Sequence, residues 1–213
     1  MDAPATGRPY TQVVTPRLVL MAAVLFAAVA CGSESPPPAR VPAGAIDGPW
    51  QAAPFALPGQ LVEAVDRACR GGFDEFPQQT QLMVIDARGA GHAEAQYAAP
   101  NGDEASCIAT IDAAGRVTWN GGGSGSLGKD WPVLKGFELE ASGGYGSTGA
   151  STTAGRAGAG IARVVIVRPG QPPVTASLAS GWYLAWVPGD WPPGTKVFGF
   201  DPLGQRVAEA PIQ

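Results

Sequence analysis

The chain has 213 residues, of which 30 are Gly and 21 Pro, about twice the share expected from average usage of ~7% and ~5%, and so many breakers exclude a mainly helical protein. Charged residues make up only 15% and apolar residues 45%, which is too apolar for charge-driven disorder, and the length accommodates one or two small domains. With 14 Lys+Arg against 18 Asp+Glu and a net charge of -4, there is no basic footprint for nucleic acid, and no such partner is expected.

Arg8 and Arg17 precede an uncharged run, Leu18 to Ala30, which leads into Cys31-Gly32. A positive start, a short apolar core and small residues before a cut describe a secretory signal peptide over residues 1–30, and the run is shorter than the ~20 residues that span a bilayer. The segment resembles a bacterial lipoprotein signal, in which small or apolar residues precede an invariant cysteine, although Ala28 stands where that family usually has Leu. The resemblance implies that the Cys31 thiol takes a diacylglycerol and becomes the first mature residue. Two acyl chains hold a protein stably at a bilayer, so the expected location is the extracytoplasmic face of the cell membrane, with the membrane as partner through the anchor. The alternative is an ordinary cleaved signal, or a retained one with an incidental cysteine.

Residues 31–53 contain Pro36-Pro37-Pro38, Pro42, Gly44, Gly48 and Pro49 without a hydrophobic period, and read as a flexible tether. A β domain is expected over 54–213. If Cys31 is lipidated, export leaves Cys69 and Cys107 as a pair in an oxidising compartment, and a disulfide between them is expected. Two buried free thiols are the alternative.

In Pro58 to Arg70, Leu61, Val65 and Cys69 recur every four residues, one stripe of a helix. Pro58 suits its start and Gly71-Gly72 its end. Strand signals follow in pairs around turns: 81–86 with 91–98, 106–112 with 116–119, 162–168 with 174–180, then 181–187, and 196–200 with 205–208. The fold class expected is mainly β, a β-sandwich or barrel-like antiparallel meander with one N-terminal helix. The order QLMVIDARG…AQYA…CIATIDAAGRV echoes RVVIVRPGQ…ASLA…KVFGFDPLGQRV, which either marks a duplicated β unit or reflects the sameness of short meanders. Between the two segments, residues 120–160 hold thirteen glycines; a glycine-rich flexible loop is expected there, with 137–140 as a short edge strand.

No catalytic constellation is legible. Gly144-Tyr145-Gly146-Ser147-Thr148-Gly149 matches a dinucleotide fingerprint only formally, because a helix must follow the glycines and more glycines follow instead. His92 is the one imidazole, expected to be a partly exposed structural residue beside a turn, and with no C-x-x-C spacing neither a metal nor a cofactor is expected. Asp86, Glu94, Asp103, Glu104 and Asp112 cluster in sequence, leaving carboxylate chemistry as the least favoured option. Asp86 and Asp112 sit where turns want a side chain that bonds its own backbone. In Trp182 to Trp191, alternation places Trp182 and Trp186 on one face and Tyr183, Ala185 and Val187 on the other. Both faces are apolar, as for a strand in the middle of a sandwich. The functional alternative makes Trp182, Trp186 and Trp191 a stacking platform for a sugar or peptide.

The stretch GRAGAGIARVVIV…VTASLASGWYLAWVP…KVFGFDPLGQRV is similar to a pattern recurring in uncharacterised exported or membrane-anchored proteins of actinobacteria: Gly-Arg-x-Gly, a Val-rich strand, Gly-[Trp/Phe]-x-x-Ala-Trp-x-Pro and a closing Asp-x-x-Gly-x-Val. DARGAGHAEAQYA and ASCIATID resemble the upstream hairpin and downstream cysteine of the same group. The resemblance implies an exported β domain and carries no activity. The function expected is a non-catalytic extracytoplasmic binding or sensing module with an envelope ligand or protein as unnamed partner; the alternatives are an envelope structural protein and, last, a carboxylate-dependent wall-glycan hydrolase.

Overall fold

The helix expected from the four-residue stripe is α1 (Gly59–Gly72), and it opens directly after Pro58, whose φ of -57° is compatible with a first turn. Its stripe faces inward, with Val65 and Cys69 fully buried. These features belong to a computed structural model that describes residues 46, 48–74, 76–126, 128–145 and 149–212. The signal segment, Cys31 and the first part of the tether lie outside the described residues.

After α1 the chain forms an antiparallel meander of β1 (Gln81–Ala87), β2 (His92–Ala98), β3 (Asp103–Ile111) and β4 (Val117–Ser126). Ala93, Ala95 and Tyr97 of β2 join Ala105, Cys107 and Ala109 of β3 in a core shared with Val65 and Cys69 of α1. The Cys69–Cys107 disulfide crosses this core with a Cα–Cα distance of 5.8 Å, so it ties the helix to the sheet it covers. The β3–β4 turn follows local chemistry: Asp112 Oδ1 accepts from the backbone N–H of Ala114 and of Arg116, both at 2.9 Å. Those bonds, with the Arg116 guanidinium, hold the Asp112 carboxyl below the usual range. A depressed carboxylate contributes stability above its unfolded pKa and loses it as pH falls through the folded value. The gap in melting temperature between the native chain and Asp112→Ala is therefore expected to narrow below about pH 4 in a pH series of thermal melts.

The remaining strands are β5 (Ser142–Tyr145), β6 (Ala150–Arg156), β7 (Arg163–Val167), β8 (Val174–Thr175), β9 (Ser177–Ala179), β10 (Trp182–Pro188), β11 (Lys196–Phe200) and β12 (Arg206–Pro211). They form two further antiparallel sheets, β5-β6-β10-β9 and β12-β11-β7-β8. β10 belongs to the middle layer. Trp182 and Leu184 pack with Val84 and Ala98 of the first sheet, while Tyr183, Ala185 and Val187 pack with Val164, Ile166, Val174 and Val197 of the third. The molecule is thus a sandwich-like stack of α1 and three open sheets, and the two-faced apolar pattern of β10 follows from being covered on both sides.

Three expectations change. The stretch 120–160 supplies the end of β4 and all of β5 and β6, and 137–140 contributes only an isolated bridge, Leu139 to Ala157. Glycine is a poor strand residue on its own, but here close packing requires it. At Gly155, opposite Tyr183 in the β6–β10 ladder, a Cβ would stand 2.0 Å from the Glu140 carbonyl oxygen and 2.7 Å from the Tyr183 hydroxyl. Tyr183 crosses this gap and its hydroxyl donates to the Glu140 carbonyl at 2.8 Å. Gly155→Ala is expected to cost about 1–3 kcal/mol through backbone displacement, measurable by urea unfolding.

Second, the described residues between 46 and 53, expected in the tether, bond to the β domain. Gly91 N–H donates to the Ile46 carbonyl at 2.7 Å, Ala90 to Gly48 at 2.6 Å, Gln51 to Arg88 at 2.8 Å and Thr175 to Ala52 at 2.9 Å. Gly89 (φ 98°), Ala90 (57°) and Gly91 (64°) curl left-handed at this junction, and a Cβ on Gly89 would stand 2.5 Å from the Pro49 carbonyl oxygen. Third, the sequence echo is not a repeat of strand order. The first unit is a sequential meander, whereas in the second β9 leaves for the middle sheet and β11 pairs directly with β7.

Candidate functional site

The densest chemistry lies in a polar seam between the first and middle sheets. Asp86 of β1 and Glu94 of β2 are direct cross-strand partners, which places both carboxylates on the face turned away from α1. Arg88, two residues beyond Asp86, folds back and grips it, with Nε to Oδ2 at 2.5 Å and Nη2 to Oδ1 at 2.9 Å. The remaining donors of this guanidinium reach the Ala52 carbonyl at 2.8 Å and the Thr175 carbonyl at 2.5 Å. Ser177 Oγ donates to Asp86 Oδ1 at 2.7 Å. One ion pair therefore joins the segment around residue 52, the first sheet and the β8–β9 crossover.

Glu94 forms the second half of the seam. His92 Nε2 lies 3.1 Å from its Oε1, and Thr152 Oγ1 of β6 lies 2.7 Å from its Oε2. The His92 ring packs against Trp186 at a centroid distance of 4.2 Å, and Trp50 Nε1 donates to the Trp186 carbonyl at 3.1 Å. Asp86 and Arg88 are both 0% exposed and His92 is 9% exposed. Burial pushes the Asp86 carboxyl upward, against the pull of Arg88 and Ser177.

These placements correct two expectations. Asp86 is a core ion-pair residue and not a solvated turn residue, and His92 is buried and bonded to Glu94. Alternation along Val84-Ile85-Asp86 and His92-Ala93-Glu94 marks a polar face, which ordinarily means a solvated face. The middle sheet covers it instead. The Arg at position 88 is the one local signal, since it supplies the countercharge two residues from Asp86, on the same side of an extended chain.

Trp182 and Trp186 are only 7% and 4% exposed, so neither offers a face to a ligand. Trp182 packs edge-on against Trp131 at 5.1 Å, with the Arg156 guanidinium over the Trp131 ring at 4.8 Å. Trp191 is half-buried against the third sheet's cluster. A stacking platform built from Trp182 and Trp186 is therefore ruled out by burial. The other carboxylates do not assemble around Asp86: Asp112 holds its turn, Asp103 bonds Asn101 Nδ2 at 2.9 Å, and burial raises Glu104 while Arg156 lowers it. Among the described residues no group of three or more His, Cys, Asp or Glu is placed to hold a metal ion, and no helix is long and apolar enough to cross a membrane.

An accessible concavity is an open groove of about 530 Å³ beside the end of β4, walled by Asp74, Phe76 and Gln78 after α1, Asp103 of β3, and Ser124 and Gly125 of β4. Two separate features thus mark the domain: a sealed, charge-bonded interior and an open sheet edge with a groove. Comparison of the chain with protein-family models, with curated proteins and with solved structures returns no match.

Proposed function

We propose that the chain is an exported, lipid-anchored protein whose β domain is a non-catalytic binding or sensing module outside the cytoplasmic membrane. The observation that carries this reading is the Cys69–Cys107 disulfide inside the core between α1 and β3, because such bridges persist in oxidising compartments and are rare in the cytosol. The signal-like run ahead of Cys31 points the same way. The buried charges favour binding over acid/base hydrolysis: Asp86 is committed to Arg88 and Ser177, and Glu94 to His92 and Thr152. A general acid needs reach to substrate, and these carboxylates face packed sheet.

The anchor is tested by fractionating a bacterial host that expresses the full chain. The native protein is expected in the membrane fraction with Cys69 and Cys107 resistant to alkylation, and Cys31→Ala in the soluble exported fraction. Unchanged membrane association of Cys31→Ala overturns the lipid anchor, and alkylation of both core cysteines in intact cells overturns export. For the binding role, saturable retention of the purified protein on isolated envelope fragments, without release of soluble products, is the expected result.

A further inference from the structure

We propose that the outer edge of β4 is a docking site for an extended peptide segment, added as a fifth strand to the first sheet, with a Lys or Arg side chain seated in the groove between Asp74 and Asp103. This inference rests on the reading of the domain as a binding module and names its ligand class. β4 is the terminal strand of its sheet, and its ten residues offer about 33 Å of edge at ~3.3 Å per residue. Natural sheet edges are blunted by Lys, Pro, bulges or covering segments, because unpaired backbone groups invite another strand. The sequence VTWNGGGSGS carries no charge and no proline, and Thr118 to Asn120 and Gly122 to Ser126 are exposed. A bulge lies opposite Ile108 and Ala109, which leaves the run from Gly121 to Ser126 continuous beyond it.

The groove specifies the occupant. It adjoins Ser124 and Gly125 at the end of this edge, and Asp74 and Asp103 are its only charged walls among the described residues, with Phe76 beside them. A strand lying along β4 would pass the groove with alternate side chains directed to either face, and a long basic side chain satisfies both its aspartates and its apolar wall. A second copy of the chain fits less well: its β4 is itself uncharged, and the Arg116 that precedes it is already bonded to Asp112. Strand addition provides sequence-tolerant backbone bonds, while the groove selects the side chain.

The test uses the purified protein and a labelled ten-residue peptide of alternating Thr and Val with one central Lys, read by fluorescence anisotropy. Saturable binding is expected, up to about fivefold weaker when Asp74→Asn is introduced and weaker again when the Lys is replaced by Glu, and lost when alternate peptide nitrogens are methylated. Gly123→Lys, at a position where a Cβ meets nothing within 4 Å, is expected to abolish binding with an unchanged melting temperature. Amide exchange over 117–126 is expected to slow only with the unmethylated peptide. Absence of binding, or binding indifferent to N-methylation and to Gly123→Lys, overturns the proposal. So does protection of β4 in a self-associated, peptide-free protein, which assigns the edge to a second copy. If Gly123→Lys still holds envelope fragments as the native protein does, the edge is overturned while the binding-module reading stands.

Discussion

Replacing Arg88 by Met is expected to lower the unfolding free energy by about 3–5 kcal/mol, the range for breaking a buried ion pair by removing one partner. Three losses combine. Asp86 keeps only Ser177 as a charge-stabilising donor, the Thr175 carbonyl loses the guanidinium, and the Ala52 carbonyl keeps only the Thr175 N–H. The deficit should depend on pH with a definite sign. Without Arg88, burial holds the folded-state pKa of Asp86 above its unfolded value, so the penalty is largest at neutral and higher pH and shrinks as falling pH protonates the group in both states. Urea unfolding at pH 5 and pH 8 checks this, and a loss under about 1 kcal/mol at both values would show that the pair is dispensable. The double variant Asp86→Leu, Arg88→Met is expected to recover part of the loss, because no uncompensated charge then remains buried.

Removing the disulfide by Cys69→Ala with Cys107→Ala is expected to cost about 3–4 kcal/mol, from the chain entropy of a loop whose ends are 38 residues apart. The bridge also anchors α1, which is held to the sheet besides by Leu61, Val65 and Phe73 and by Arg70 over the Tyr97 ring. Its loss should therefore appear first as faster amide exchange in 59–72 and only then in the strands. Unfolding midpoints with and without reductant measure the same quantity in the native chain, and equal midpoints would mean that the core packs fully without the bridge. Domains of this size have about 5–15 kcal/mol to lose, so the Arg88 and disulfide variants combined are expected to leave little folded protein.

Much of the fold was legible because its signals are local. Leu61, Val65 and Cys69 mark a helical face within three turns, Asp112 and Gly115 shape one hairpin through bonds to adjacent backbone, and the Cys69–Cys107 pairing followed only on the expectation that Cys31 is lipidated. The alternation of Trp182 through Val187 favoured a β10 covered on both faces. The candidate site was hardly legible. Trp182 and Trp186 read first as core, and only their burial removes the stacking-platform alternative. The peptide edge at β4 lies in a glycine-rich run whose intrinsic preferences favour a loop, and its strand character comes from pairing with β3.

By itself the sequence determined the class of the protein: mainly β, one helix and an export-like N-terminal pattern, all properties of composition and periodicity, with the disulfide following only on the lipoprotein resemblance. Tertiary structure alone decided that the polar face of β1 and β2 is interior, that Ile46, Gly48 and Gln51 bond to the β1–β2 turn, and that β11 joins β7. The physical reason is common to all three. Each depends on which surface covers which, and a residue's period records that it alternates, while only the opposing layer decides whether the polar side meets water or, as at Asp86, a guanidinium and two carbonyls drawn from distant segments.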